Sequence, residues 1–281
     1  MTRMENENFS QERALYGAKD IFLFRCSFEG EEDGESALKE SAAVTAEECK
    51  FALRYPLWHV DGATLTRCRM TEGCRAALWY TNSVSVQECD LSGVKALREC
   101  ADVRLENSRI TSAEFGWFSR NITVRDCTVS GEYAFLRASA LTAENLQFSG
   151  KYSFQYLENA VFSHCNFDTK DAFWHSKNVT VTDSVIRGEY LGWSAEDLRL
   201  VRCHIIGTQP LCYARGLILE DCTMEKADLA FEKSEVNGTI LSHVDSIKAP
   251  DSGHLTVLSV GEILPQNDGT MGGADLTILA K

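Results

Sequence analysis

Most of the features that usually give away a protein's activity are missing from this sequence. There is no basic surplus: 28 Lys and Arg stand against 41 Asp and Glu, a formal net charge of −13. A field of that sign repels phosphate backbones and anionic headgroups, so neither nucleic acid nor a membrane surface is an expected partner. No apolar run exceeds a handful of residues, too short for a bilayer-spanning helix. The start, Met1-Thr2-Arg3-Met4-Glu5-Asn6-Glu7-Asn8, is polar and acidic and offers no secretory leader, which predicts a cytoplasmic protein. No Pro- or Gly-rich linker separates a second domain. A glycine-rich phosphate loop, a G-x-S-x-G elbow and zinc-spaced Cys/His sets are all absent, so no metal and no cofactor is expected.

Cysteine, by contrast, is plentiful. The chain has eleven, an odd number that fits reduced thiols better than a disulfide scaffold. Eight of them, Cys26, Cys49, Cys68, Cys89, Cys127, Cys165, Cys203 and Cys222, fall on one ladder, with Ser108, Leu146 and Ser184 on the vacant rungs. From Cys89 to Cys222 every step is 19 residues; the earlier steps are 23, 19 and 21. Other columns share the period. Turn-formers stand six before the rung (Asp102, Asn121, Asn159, Asn178, Asp197, Gly216) and directly before it (Asn107, Asp126, Asn145, Asp183, Asp221). Glycine is favoured four after it (Gly93, Gly131, Gly150, Gly188, Gly207). Asx and Gly tolerate the left-handed conformations that sharp corners need. Short alternating segments lie between the corners, such as Val103-x-Leu105 and Val179-x-Val181, and period-two alternation is a strand signal.

Three short strands per 19-residue turn predict an all-β solenoid, a right-handed parallel β-helix of about ten coils. Residues 1–20 are expected to form an N-terminal cap, 21–235 the coils and 236–281 a C-terminal cap, all within one domain. Ser10-Gln11-Glu12-Arg13 reads as a helix start in the first cap, and residues 29–36 as an acidic loop. The cysteine rungs read as buried, inert small side chains. Cys74, Cys100 and Cys212 lie off the ladder.

The chain resembles the bacterial domain-of-unknown-function family 3737. The resemblance is carried by Glu12-Arg13-Ala14-Leu15-Tyr16-Gly17, Glu35-Ser36-Ala37-Leu38-Lys39-Glu40, Arg54-Tyr55-Pro56-Leu57-Trp58-His59, Lys95-Ala96-Leu97-Arg98-Glu99-Cys100 and Glu114-Phe115-Gly116-Trp117. Members look like β-helices of the pectate-lyase type. That likeness implies the same fold and, by analogy alone, carbohydrate processing.

The third side of the coil is the most informative. One column reads Lys39, Trp58, Trp79, Arg98, Trp117, Leu136, Gln155, Trp174, Trp193, Cys212 and Phe231, and it holds all five tryptophans. Long charged side chains are almost never fully buried, so this column is expected as a partly exposed stripe of indoles and cations. Rungs about 5 Å apart suit the rings of an extended glycan. The rival reading is that the stripe packs against a protein, including another copy of this chain. Beside it run Glu40, His59, Tyr80, Glu99, Phe118, Arg137, Tyr156 and His175. Lys39, Glu40, His59, Arg98 and Glu99 are the nearest approach to a catalytic cluster. Glu40 and Glu99, however, are three rungs or about 14 Å apart, too far for a carboxylate pair. The expected function is therefore carbohydrate binding or processing through Trp58, Trp79, Trp117, Trp174 and Trp193. If the protein is an enzyme, a polysaccharide lyase or glycoside hydrolase comes first; the alternative is a non-enzymatic interaction or self-association module.

Overall fold

In the computed structural model, residues 1–30 and 34–280 are described, so residues 31–33 of the expected acidic loop lie outside them. The chain divides into two compact units, Met1–Leu141 and Thr142–Lys281. Both are parallel β-helix, with about 14 turns counted along the chain rather than ten. Among the described residues there is no α-helix, only a 3-10 turn at Glu72–Cys74. Among the described residues no helix is long and apolar enough to cross a membrane.

In the first unit, strands Thr2–Glu5, Lys19–Phe24, Ala42–Glu47, Asp61–Thr66, Asn82–Gln87, Ala101–Glu106 and Arg120–Arg125 pair in parallel, each with the next. A second ladder runs from Ser27–Phe28 through Lys50–Phe51, Arg69–Met70, Asp90–Ser92 and Arg109–Thr111 to Thr128–Glu132. A third, shorter ladder joins Leu57–Trp58, Leu78–Trp79 and Leu97–Arg98. The second unit repeats the first two ladders, from Glu158–Ser163 to Asp275–Ile278 and from Gln147–Lys151 to His204–Ile206.

Alternation decides which side chains go inside. Val103 and Leu105 are buried between exposed or half-buried neighbours, as are Val179 and Val181 in the second unit. The corner residues Asp102, Asn107, Asn121 and Asp126 all have φ between 47° and 56°, the left-handed region expected of them. The glycine corners have a further reason. A Cβ on Gly188 would sit 2.2 Å from the carbonyl oxygen of Thr169, and one on Gly207 2.1 Å from that of Gly188. Glycine is required there because backbones of successive coils nearly touch.

All eleven cysteines are buried and unpaired. They are more than small hydrophobes, because the γ atom of a rung accepts the N–H of the rung before it. Cys26 N–H donates to Cys49 Sγ (3.4 Å), Cys68 N–H to Cys89 Sγ (3.2 Å), Cys89 N–H to Ser108 Oγ (3.0 Å) and Cys165 N–H to Ser184 Oγ (2.9 Å). Serine replaces cysteine on this ladder because both present an acceptor at the γ position. Cys100 belongs to a second such ladder, its N–H donating to Ser119 Oγ at 3.0 Å. Burial pushes the Cys74 and Cys100 thiols up to about 12, which keeps them protonated and unreactive.

The helix expected to start at Ser10 is not formed. Residues 12–17 are turns, because their N–H groups serve the next coil instead of an intrahelical partner: Arg13 N–H donates to Glu35 O (2.9 Å) and Leu15 N–H to Ala37 O (2.8 Å). Residues 236–281 supply parallel strands, Val236–Lys248, His254–Leu264 and Asp275–Ile278. The cysteine column fades there because the register shifts between Leu219 and Cys222 and again between Ile240 and His243.

Candidate functional site

The tryptophan column lies one residue after an inward column of Leu38, Leu57, Leu78 and Leu97 in the first unit and Phe154, Phe173 and Leu211 in the second, all fully buried. Alternation therefore turns the column outward, and each of the five indoles is half-buried. In the first unit cations and rings alternate. Lys39 Nζ lies 4.1 Å from the Trp58 ring, Trp58 and Trp79 stack at 5.5 Å and 12°, and the Arg98 guanidinium lies 5.7 Å from Trp79 and 5.3 Å from Trp117. In the second unit Trp174 and Trp193 stack at 5.3 Å and 7°. Such contacts are worth about 0.5–1.5 kcal/mol each beyond area burial.

The stacking decides what the partly exposed stripe presents, since Trp58 is sandwiched between Lys39 and Trp79, and Trp79 between Trp58 and Arg98. What these rings offer outward is an edge.

The edges are not equivalent. Trp117 Nε1 donates to Tyr133 O (2.7 Å), Trp174 Nε1 to Tyr190 O (2.6 Å) and Trp193 Nε1 to Gln209 O (2.8 Å), in each case a carbonyl sixteen residues on. Trp58 Nε1 and Trp79 Nε1 are buried with no acceptor among the described residues. The step from Cys68 to Cys89 is 21 residues, and its surplus forms the 3-10 turn at Glu72–Cys74. The carbonyl sixteen after Trp58, that of Cys74, accepts the Tyr55 N–H instead (3.0 Å). An unsatisfied buried donor costs about 1–3 kcal/mol, and each such group calls for an explanation.

The lengthened coil also opens a cleft. About 530 Å³ is enclosed by Tyr55, Arg75, Ala76, Trp79, Val94 and Lys95. Arg75 closes the 3-10 turn with φ 53° and ψ −87°, outside the left-handed helical region, and is held there by its N–H to Glu72 O (3.2 Å) and by Lys95 N–H to its own carbonyl (2.9 Å). Strained backbone of this kind concentrates at functional sites. A second cleft, about 330 Å³, adjoins it; Val94, which is 52% exposed, lines both.

The other predicted residues do not converge on one centre. Arg98 Nε contacts Glu99 (3.0 Å) and its Nη1 contacts Glu114 (3.7 Å), while Lys95 Nζ also reaches Glu114 (3.4 Å). Glu114 Oε2 makes no hydrogen bond within normal geometry, yet two cations neutralise it. His59 packs on Tyr80 (4.9 Å) and beside Trp58 (5.8 Å). Glu40 and Glu99 both occupy left-handed corners, φ 61° and 51°. Of the residues singled out in the sequence, only Trp79 lines the larger cleft. Tyr55, Arg75, Val94 and Lys95 were missed, although the 21-residue step and the off-ladder Cys74 mark the spot. Among the described residues no three His, Cys, Asp or Glu side chains gather as a metal site would require.

A family model described as a protein of unknown function, DUF3737, matches residues 2–278. The chain belongs to that family. No curated protein matches this DUF3737 chain in sequence. Among solved structures it is similar to PfbA, a surface adhesin of Streptococcus pneumoniae, at 8% identity and a TM-score of 0.46, covering 87% of this chain and 83% of that one. It is also similar to a mutant of the periplasmic alginate epimerase AlgG (9%, TM-score 0.26, covering 92% and 76%). The A-module of the Azotobacter vinelandii mannuronan C-5 epimerase AlgE4 follows (8%, TM-score 0.25, covering 98% and 88%). At these scores the likeness carries no ligand and no reaction over to this chain.

Proposed function

We propose that this DUF3737 protein is a non-enzymatic carbohydrate-binding module whose site is the cleft beside Trp79. The supporting observation is the cleft that opens at the lengthened coil, lined by the aromatic rings of Tyr55 and Trp79 and by the cationic donors Arg75 and Lys95. A saccharide offers ring and hydroxyl oxygens as acceptors for Arg75 and Lys95, and C–H faces for Tyr55, which stands 6.4 Å from Trp79 at 58°. Binding without catalysis fits the carboxylates at the stripe, since Glu99 and Glu114 share the Arg98 guanidinium.

A glycan array probed with the whole chain tests this reading. The wild type and Trp193→Phe are expected to bind the same glycans, and Trp79→Ala to lose them; a blank array, or binding indifferent to Trp79→Ala, would overturn it. Tyr80, Phe118 and Tyr133, each 37–43% exposed beside the stripe, would also suit contact with a second copy. Light scattering on the same proteins separates the two readings, because an interface predicts a fall in mass with Trp79→Ala and a glycan site predicts none.

A further inference from the structure

The two adjoining clefts fix the length and shape of what can lie in them. The larger is built by Tyr55, by Arg75 and Trp79 of the next coil, and by Val94 and Lys95 of the one after. The smaller begins beside Glu72 and continues across Gly93, Thr111 and Ser130. Main-chain hydrogen bonds stack these segments one on the next. Tyr55 N–H donates to Cys74 O (3.0 Å), Lys95 N–H to Arg75 O (2.9 Å), Glu114 N–H to Val94 O (2.7 Å) and Ser112 N–H to Ser130 O (2.9 Å). Together the clefts therefore cross five consecutive coils. Four steps at the strand spacing make about 19 Å, room for about four sugars of an extended chain.

The floor of the smaller cleft is straight, because Gly93, Ser112 and Gly131 hold one position of the repeat, each 19 residues from the last. It is also fixed: Ser112 Oγ accepts the Ala96 N–H (3.0 Å) and donates to Val94 O (3.1 Å). Thr111 and Ser130 are neighbours in register, and neither hydroxyl is engaged by another described residue. Arg75 is exposed and makes no ion pair among the described residues. Sugar hydroxyls both donate and accept, so they suit the guanidinium at one end and the two hydroxyls at the other. Val94, 52% exposed, stands where the clefts meet, an apolar saddle for the C–H face of a ring. A chain that curls at each linkage leaves a straight floor after a short contact. An extended β-1,4-linked chain follows it from end to end.

We infer that the site takes a linear, extended β-1,4-linked saccharide, with about four sugars laid across the coils from Tyr55 to Ser130 and Val94 under the middle. This deepens the carbohydrate reading above and rests on it.

Calorimetric titration of the whole chain with cello-, manno- and chito-oligosaccharides of two, four and six sugars tests it, with maltohexaose as the curling control. In at least one of the three series the tetrasaccharide is expected to bind roughly tenfold or more tighter than the disaccharide. The hexasaccharide should add little, and maltohexaose should bind no tighter than the disaccharide. Thr111→Trp, which fills the smaller cleft, should bring the tetrasaccharide down to the level of the disaccharide and leave the disaccharide unchanged; Trp79→Ala should abolish both. Far-UV circular dichroism checks that each variant is folded. A disaccharide as tight as the tetrasaccharide, maltohexaose equal to the extended hexasaccharides, or a gain with length indifferent to Thr111→Trp would overturn the extended chain while leaving the carbohydrate reading intact if binding still required Trp79. Silence of all three series beside a Trp79-dependent array signal would do the same, and silence beside a blank array would overturn both.

Discussion

Two stacked indole pairs occupy the same column of the repeat, Trp58–Trp79 in the first unit and Trp174–Trp193 in the second, with centroid separations of 5.5 and 5.3 Å. They differ in what their N–H groups do. Trp174 and Trp193 each spend theirs on a carbonyl sixteen residues on; Trp58 and Trp79 have no such partner. One pair is thus complete as a structural element and the other is not. Identical residue type and near-identical stacking therefore do not imply identical roles, and for Trp58 the difference traces to a coil of 21 rather than 19 residues.

The comparison can be broken or sharpened by substitution, and the largest effect is expected from truncation. Trp193→Ala removes a stacked, hydrogen-bonded ring and should lower stability by about 3 kcal/mol, the low end for large aromatic truncations because the ring is half-buried. Trp79→Ala loses stacking but also removes an orphaned donor, so urea melts should show a smaller loss. Next come the glycine corners. Gly188→Ala drives a Cβ to 2.2 Å from Thr169 O, whereas at Gly93 the nearest atom, Arg75 O, is 2.8 Å away. The first should cost about 2–3 kcal/mol and the second less, with equal thermal shifts counting against the geometry. Removing the N–H alone gives a finer contrast: Trp193→Phe should cost about 1 kcal/mol, leaving the Gln209 carbonyl without its donor, while Trp79→Phe should be neutral or stabilising.

The smallest expected effect is electrostatic and alike in both units. Arg202 holds the Asp183 carboxyl below the usual range, and Arg25 does the same for Glu48. A carboxylate whose folded pKa is depressed contributes stability above its unfolded pKa and loses that contribution as pH falls through the folded value. Arg202→Ala and Arg25→Ala should each raise the partner's pKa in a carboxyl-detected NMR titration. Because the arginines are exposed and the carboxylates only half-buried, melts at neutral pH should barely move.

The fold was legible because a solenoid writes three-dimensional adjacency as a fixed sequence offset. Val84 pairs with Val103 and Val103 with Ile122, each 19 residues apart. Only the corners and columns had to be recognised. The helix start near Ser10 was misread for the opposite reason. At 8–17 the sequence has the local signature of a helix start, yet the Glu35 and Ala37 carbonyls claim its N–H groups, and no column foretells a partner that the repeat has not yet established. The outward tryptophan column was readable from alternation and from the Lys and Arg that share it. The stacking that covers the indole faces was not, because it depends on rotamers. The cleft lay hidden in an irregularity, the two extra residues around Cys74, where the repeat that exposed everything else falls silent.

The most direct test of the contrast between the two pairs is a ¹H–¹⁵N spectrum of the five indole N–H groups, titrated with a glycan bound on the array. The account predicts that the Trp58 and Trp79 signals start with the signature of N–H groups lacking a protein acceptor and shift on binding, while Trp117, Trp174 and Trp193 stay in place. Five hydrogen-bonded indoles in the free protein, or shifts confined to Trp174 and Trp193, would contradict it.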